Sequence, residues 1–234
     1  MKVGILGYGE IGKAVQKLYG LHQVFIRDLD RDDGIEDCRY LHVCIPYSKN
    51  FINQVSEVIE ANNPNYVIIH STVRPTTTEK IVERTSAKVV HSPVRGVHPE
   101  LLEGLLTFEK FVGADFDCEE VIEHLNSLGL KTKLVSSRTS ELAKLLSTTY
   151  YGLCIAWHGE MQNMCDELNV DFEEVTTDWN KGYNEGYLKL DMGHVVRPVL
   201  YPPTKIGGHC VLENTEILKQ SFESEALDLI LKYK

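Results

Sequence analysis

The chain has 234 residues, 43% of them hydrophobic and 25% charged, with a formal net charge of −10. That mixture belongs to a folded globular protein, long enough for one large domain or a large one with a smaller companion. The acidic balance argues against a nucleic-acid backbone as the main partner, while a local basic site for a small anion stays compatible with it. No apolar run reaches bilayer-spanning length, so no membrane partner is expected. "MKVGILGYG" runs directly into a strand and a glycine turn, without an h-region and cleavage site, and the expectation is a cytoplasmic protein. Cys38, Cys44, Cys118, Cys154, Cys165 and Cys210 form no C-x-x-C pair. Reduced thiols and no metal site are expected.

"KVGILGYGEIGKAVQKLY" reads as strand, glycine turn and helix. Val3, Ile5 and Leu6 make the strand, while Ile11, Ala14, Val15 and Leu18 recur at helical spacing. Gly7, Gly9 and Gly12 supply G-x-G-x-x-G in the required strand-to-helix setting. There Gly7 makes the tight turn, Gly9 admits a pyrophosphate and Gly12 lets the helix close on the sheet. Glu10 and Ile11 complete the first turn, whose N–H groups and dipole favour phosphate. A second strand, "HQVFIRD", ends near Asp28, about 20 positions beyond the glycine turn, where a carboxylate accepts the adenosine ribose hydroxyls and repels a 2′-phosphate. The cofactor expected is NAD rather than NADP. Asp30 competes for this role, Arg27 or Arg31 would soften the preference, and the bland alternative is a run of loop charges.

Next come a buried strand in "YLHVCIPYS" ending at Pro46, a helix in "NFINQVSEVIEA", and a strand in "NYVIIHSTV" that puts Ser71 and Thr72 at the sheet's C-terminal edge. Ligands bind at that edge in open α/β sheets. Around the bend of Pro93, Gly96 and Pro99, the residues Arg95, His98 and Glu100 either line a pocket or are solvated. "FEKFVGAD", "EEVIEHLNSLG" and "KTKLVS" complete the alternation. The fold class is therefore α/β: a Rossmann-type NAD-binding domain over residues 1–135, then a mainly helical domain over 136–234 for substrate and dimer contacts.

"SRTSELAKLLSTTYYGLCIAWHGEMQNMCDELNV" has helical periodicity over about thirty residues, with Thr139 or Ser140 as cap and Glu141 nearby. Apolar and aromatic residues spread beyond one stripe, which predicts either a central helix or a homodimer contact across about 140–170. Lys144 and Thr148 share a face, although a lone helix lysine is more often solvated. A shorter helix is expected from Asp171, a glycine- and proline-rich loop over 182–209, and one amphipathic helix over 214–234. In "PPTKIGGHC", Gly207 and Gly208 precede Cys210, either in a loop that presents a reactive thiol or in a plain tight turn.

In order along the chain, "GILGYGEIG", "HSTVRPTTTEKI", "HPELLEG", "SELAKLLSTTYYGLCIAWHGEM" and "KIGGHC" resemble the nucleotide-sugar 6-dehydrogenases, the family of UDP-glucose and UDP-N-acetylmannosamine dehydrogenases within the 6-phosphogluconate dehydrogenase-like superfamily. The resemblance implies an NAD-dependent oxidoreductase that turns an alcohol into a carboxylate in two oxidations. By motif, Cys210 is the nucleophile that captures the intermediate aldehyde and Lys144 stabilises the oxyanion. Glu100 moves protons to or from water, and Thr72 orients that water. Several positions depart from the pattern. Thr148 stands for the family's asparagine, Asn214 for its aspartate, Glu213 for its lysine and Gly159 for its asparagine before the retained Glu160. The family's further nucleotide-sugar-binding domain has no counterpart after the cysteine region. A smaller substrate, or a pocket completed by a partner, is therefore expected. Two other readings stay open: a two-electron hydroxyacid-type dehydrogenase that relies on Lys144, and a catalytically weak NAD-binding regulator.

Overall fold

Val3–Leu6 is apolar at all four positions and forms β1, buried throughout. The computed structural model of the chain describes residues 1–96 and 100–234. These divide into two compact units, Met1–Lys144 and Leu145–Lys234. In the first, β1 leads to α1 (Glu10–Leu18), β2 (Phe25–Asp28), β3 (Arg31–Asp32), β4 (Tyr40–Val43), α2 (Phe51–Asn62), β5 (Tyr66–Ile69) and α3 (Thr77–Thr85). Then come β6 (Val89–His91), α4 (Leu101–Thr107), β7 (Lys110–Gly113), α5 (Glu119–Ser127) and β8 (Thr132–Val135). The eight strands lie in the order β3-β2-β1-β4-β5-β6-β7-β8. Neighbours are parallel except β2–β3 and β6–β7.

Because β2 and β4 flank β1 on opposite sides, the winding reverses between β1 and β4. That reversal opens a crevice at the C-terminal ends of those strands. The continuous apolar runs follow from burial on both faces. Ile68 joins a core with Ile5, Val15 and Leu125, while Val67 and Ile69 join another with Phe51, Val55 and Ile81. A doubly wound sheet of this kind, followed by helices, is the fold expected from the alternation of elements. The short antiparallel β3 is an addition to it, in a stretch that reads as loop charges.

The long helix α6 spans Ser137–Leu168. It starts ahead of the expected cap. Ser136, not Thr139 or Ser140, caps it: the Thr139 N–H donates to Ser136 Oγ at 3.2 Å, the geometry of an N-cap and third-position pair.

In the second unit a π-helical turn, Glu173–Asp178, runs into α7 (Trp179–Lys189). The loop expected over 182–209 is thus helical as far as Lys189, with Gly182 and Gly186 inside α7. Two interior glycines cost about 1 kcal/mol each relative to alanine, which weakens a helix without forbidding it. The chain ends in two helices rather than one, α8 (Cys210–Lys219) and α9 (Glu225–Lys232). Ser224 is the extended N-cap position between them. At 100° per residue, a single straight helix would put Leu218 and Leu227 on opposite faces. The break lets both be buried. Gly152 makes room for Val211 and Ile230, and Gly159 for the ring of Tyr233.

Candidate functional site

Gly7 has φ +91, and a Cβ there would come within 2.9 Å of the Cys44–Ile45 backbone. Only glycine tolerates both conditions. Gly12 is equally constrained, since its Cβ would meet the Gly7 carbonyl at 2.1 Å. Gly9 is the N-cap position of α1, with no side chain capping the helix. A Cβ on Gly9 would meet no described heavy atom within 4 Å. Thus Gly7 and Gly12 shape the turn, and Gly9 keeps space open above the first turn of α1, where Glu10 and Ile11 lie.

Asp28 ends β2, and its Oδ2 accepts the Tyr8 N–H at 2.9 Å while Oδ1 accepts the Leu29 N–H at 2.8 Å. A carboxylate is therefore fixed beside the glycine turn. Asp30 is exposed in the β2–β3 turn. Arg27 pairs with Asp32 at 3.4 Å, and Arg31 with Asp33 at 2.6 Å.

At the same edge, Pro46 is exposed in the segment after β4. Ser71 follows β5, and its Oγ donates to the Ile45 carbonyl at 2.5 Å. Thr72 is half-buried beside it. His91 Nε2 donates to the Ser71 carbonyl at 3.1 Å, which assigns the ring's proton to that nitrogen. Burial pushes the pKa of His91 down to about 3, against a smaller upward pull from that carbonyl. Glu100 is the exposed N-cap position of α4, and Lys144, half-buried on α6, closes the first unit. Of the bend residues, Arg95 lies over the Phe108 ring, while His98 lies outside the described residues.

In the second unit, Thr148 is half-buried on α6. Cys210 is the exposed first residue of α8, just past Gly208 at φ +79. Asn214 lies one turn further on and is buried. Gly159, where the family carries asparagine, has a reason in this chain: the Tyr233 ring fills the space and its hydroxyl donates to Glu160 Oε1 at 2.6 Å. Lys232 Nζ donates to the same oxygen at 2.6 Å.

Three residues of the first unit have roles that a motif reading does not give. Lys110 is buried at the start of β7, and its ammonium donates to the Ser92 and Pro93 carbonyls at 2.8 and 3.2 Å. Desolvation lowers its pKa to about 7; Cys44 opposes the shift and Lys144 adds to it. The only trace in sequence is a charge opening the apolar strand "KFVG". Glu141, fully buried, accepts the N–H groups of Thr76 and Thr78 at 2.6 and 2.8 Å and the Thr78 hydroxyl at 2.7 Å. Burial raises the pKa of Glu141, against these hydrogen bonds. It is the cap of α3 rather than a first-turn residue of its own helix. His42, whose Nδ1 meets His70 Nε2 at 2.8 Å, is a buried residue within β4; nothing in periodicity separates it from an apolar position.

The profile of the UDP-glucose/GDP-mannose dehydrogenase family central domain matches residues 138–232. Among curated proteins, a UDP-N-acetyl-D-mannosamine dehydrogenase of Methanococcus vannielii is 26% identical over 185 residues, 77% of this chain and 39% of that protein. An NDP-N-acetyl-D-galactosaminuronic acid dehydrogenase of Ralstonia nicotianae is 25% identical over 132 residues, 55% of this chain and 28% of that one. The chain thus spans well under half the length of these relatives. In fold it is similar to a UDP-D-ManNAc dehydrogenase from Pyrococcus horikoshii, with TM-score 0.80, 16% identity and coverage of 100% of this chain and 68% of the other. It is also similar to a 3-hydroxyisobutyrate dehydrogenase from Mycobacterium tuberculosis, with TM-score 0.72, 14% identity and coverage of 99% and 93%. Over part of their length, the chain is thus similar to nucleotide-sugar dehydrogenases in sequence, and residues 138–232 match the central domain of that family.

Proposed function

We propose that the protein is an NAD-dependent oxidoreductase that oxidises a primary alcohol on a sugar or nucleotide sugar, with residues 1–135 binding the dinucleotide. The observation that carries this reading is the glycine turn: two glycines forced by close backbone contact, a third facing open space, and Asp28 held at the Tyr8 N–H. The space at Gly9 suits a pyrophosphate on the N-terminus of α1, and Asp28 suits the adenosine ribose. Pro46, Ser71 and Thr72 border the same sheet edge. Bound NAD would supply the hydride acceptor.

In this reading Cys210 Sγ adds to an aldehyde carbon and forms a thiohemiacetal. Oxidation at that carbon gives a thioester, and water then cleaves the C–S bond to release the carboxylate and return the thiol. Lys144 offsets negative charge on the reacting oxygen, Glu100 carries protons to and from water, and Thr72 orients the water. Thr148 and Asn214 stand where the family has asparagine and aspartate. Asn214 cannot accept a proton as a carboxylate does. That substitution favours a second reading, a two-electron oxidation that depends on Lys144 and leaves Cys210 incidental. Exposed Leu146, Tyr150, Tyr151, Trp157 and Met164 on α6 support a homodimer contact along that helix.

Titration with NAD should show binding, and turnover on a panel of sugar and nucleotide-sugar alcohols should release two NADH per substrate. Cys210→Ser should then stop at the aldehyde. One NADH per substrate in the unaltered protein would select the two-electron reading, and NAD binding without turnover would select a regulatory one.

A further inference from the structure

The β2–β3 hairpin holds an arginine at the ribose side of the glycine turn and keeps it occupied. In the hairpin register Arg31 stands directly opposite Asp28, and cross-strand partners project from the same face. Its guanidinium lies 5.4 Å from the ring centroid of Tyr8, the residue between the first two glycines. An arginine there is suitably placed to meet a phosphate on the adenosine ribose, since guanidinium and phosphate pair in a planar, charge-assisted fork.

Asp33 occupies that fork. Arg31 Nε donates to both Asp33 oxygens at 3.0 Å, and Nη2 donates to Oδ2 at 2.6 Å. Asp33 is not a swinging surface carboxylate. Its Oδ2 accepts the Ile26 N–H at 3.0 Å and its own N–H donates to the Ile26 carbonyl at 2.9 Å, and Ile26 is fully buried in β2. Exposed ion pairs are usually weak because two flexible side chains must be ordered. Here one partner is already fixed to the strand, so that cost is reduced.

We infer that Asp33 determines cofactor specificity: by clamping Arg31 it denies the 2′-phosphate of NADP the cation that the hairpin register sets opposite Asp28. The inference rests on the dinucleotide reading above and adds to it a residue outside the glycine motif and the ribose carboxylate. It predicts that NADP is excluded twice, by the charge of Asp28 and by the occupation of Arg31.

The test is calorimetric titration of the full chain with NAD and NADP. Asp33→Asn removes the charge but keeps a carbonyl oxygen for the Ile26 N–H. It should tighten NADP binding about tenfold, the scale of one new charge-assisted contact, with NAD affinity kept within about twofold. The gain should shrink at high salt. Adding Arg31→Leu should erase it, whereas Arg31→Leu alone should leave NADP unchanged. Asp32→Asn makes the same charge change at the Arg27 pair without releasing Arg31, and should give no such gain. Intact NAD binding with an unmoved NADP affinity in Asp33→Asn would overturn the inference alone. So would an equal gain in Asp32→Asn, or a gain that survives Arg31→Leu. Loss of NADP affinity in Arg31→Leu alone would overturn it even where Asp33→Asn failed to fold. A folded wild-type chain that binds neither dinucleotide would overturn the underlying reading, and the inference with it.

Discussion

The two glycine-bearing turns look alike in sequence and differ in what holds them. In the first, Gly7 and Gly12 are compelled by backbone atoms within 2.9 and 2.1 Å of their missing Cβ positions. In the second, Cβ atoms on Gly207 and Gly208 would meet no described heavy atom within 4 Å; only Gly208, at φ +79, is set by its own dihedral. The contrast extends outward. In the first unit, polar residues have inward partners: Ser71 on Ile45, Glu141 on Thr76 and Thr78, Lys110 on Ser92. In the second unit Trp179, Leu188, Leu190 and Tyr201 are exposed, and Gly182 and Gly186 face open space among the described residues. A glycine whose neighbours leave no choice reports the fold. A glycine with room around it has to be explained by mobility or by something that approaches it.

The largest effect should separate two glycines of one motif. Gly12→Val forces a side chain into the Gly7 carbonyl, a backbone atom that cannot yield, and should cost about 3 kcal/mol or more in urea unfolding. Gly9→Val has room in the unliganded chain and should leave the urea midpoint nearly unchanged while NAD binding falls at least about a hundredfold. If both variants lose stability equally, Gly9 is structural and the cradle argument fails.

Acid should act next, and unevenly. Burial holds the pKa of His42 and His91 at about 3 in the folded chain, against about 6.5 when unfolded. Between those values the unfolded chain binds more protons, so stability is complete above pH 6.5 and falls as pH drops toward 3. Each of these two histidines adds up to about 1.4 kcal/mol per pH unit to that slope. The hydroxyl of Tyr19, hydrogen-bonded to the rings of His42 and His124 at 2.5 and 2.8 Å, joins the same buried group. Both tryptophans, Trp157 and Trp179, lie in the second unit. Sheet circular dichroism should therefore collapse at a higher pH than tryptophan fluorescence changes. Coincident transitions would mean that the histidines do not set the acid limit of the first unit.

A smaller loss tests the packed part of the second unit. Gly159→Asn restores the residue found in the family but drives it into the Tyr233 ring and strains the Tyr233–Glu160 hydrogen bond. Destabilisation of about 1–3 kcal/mol is expected in thermal or urea melts. A neutral outcome would show that α9 shifts freely and that Gly159 carries no packing duty.

These contrasts also mark how far the sequence can be read. The alternation of strands and helices follows from apolar runs and glycine punctuation, because a doubly wound sheet buries both faces of its strands. Asp28 was reachable by its distance of about 20 positions from the glycine turn. The β3 turn was not, since Arg31, Asp32 and Asp33 look like loop charges until the hairpin register pairs them. Nor was the role of Glu141, whose partners on α3 lie more than 60 positions away in sequence. Gly182 and Gly186 misled in the opposite direction, because a helix pays a modest cost for glycine and the composition of 182–209 resembled a loop throughout. The break between α8 and α9 needed a phase argument about Leu218 and Leu227 rather than a propensity.

The smallest expected effect bears most directly on the second turn. Gly208→Ala places a Cβ on a left-handed residue and should cost about 1–2 kcal/mol through the dihedral alone. Gly207 is not in that region and has no described neighbour to meet, so Gly207→Ala should change unfolding by less than about 0.5 kcal/mol. Activity then separates the two explanations of a roomy glycine. If the loop only turns the chain into α8, Gly207→Ala keeps full turnover. If a substrate passes over the backbone ahead of Cys210, one added methyl should raise KM or abolish the second oxidation while the melting curve stays in place. The larger Gly207→Val extends the series, and a graded loss of turnover with methyl count at constant stability is the outcome expected for a cysteine loop that works on its ligand at close range.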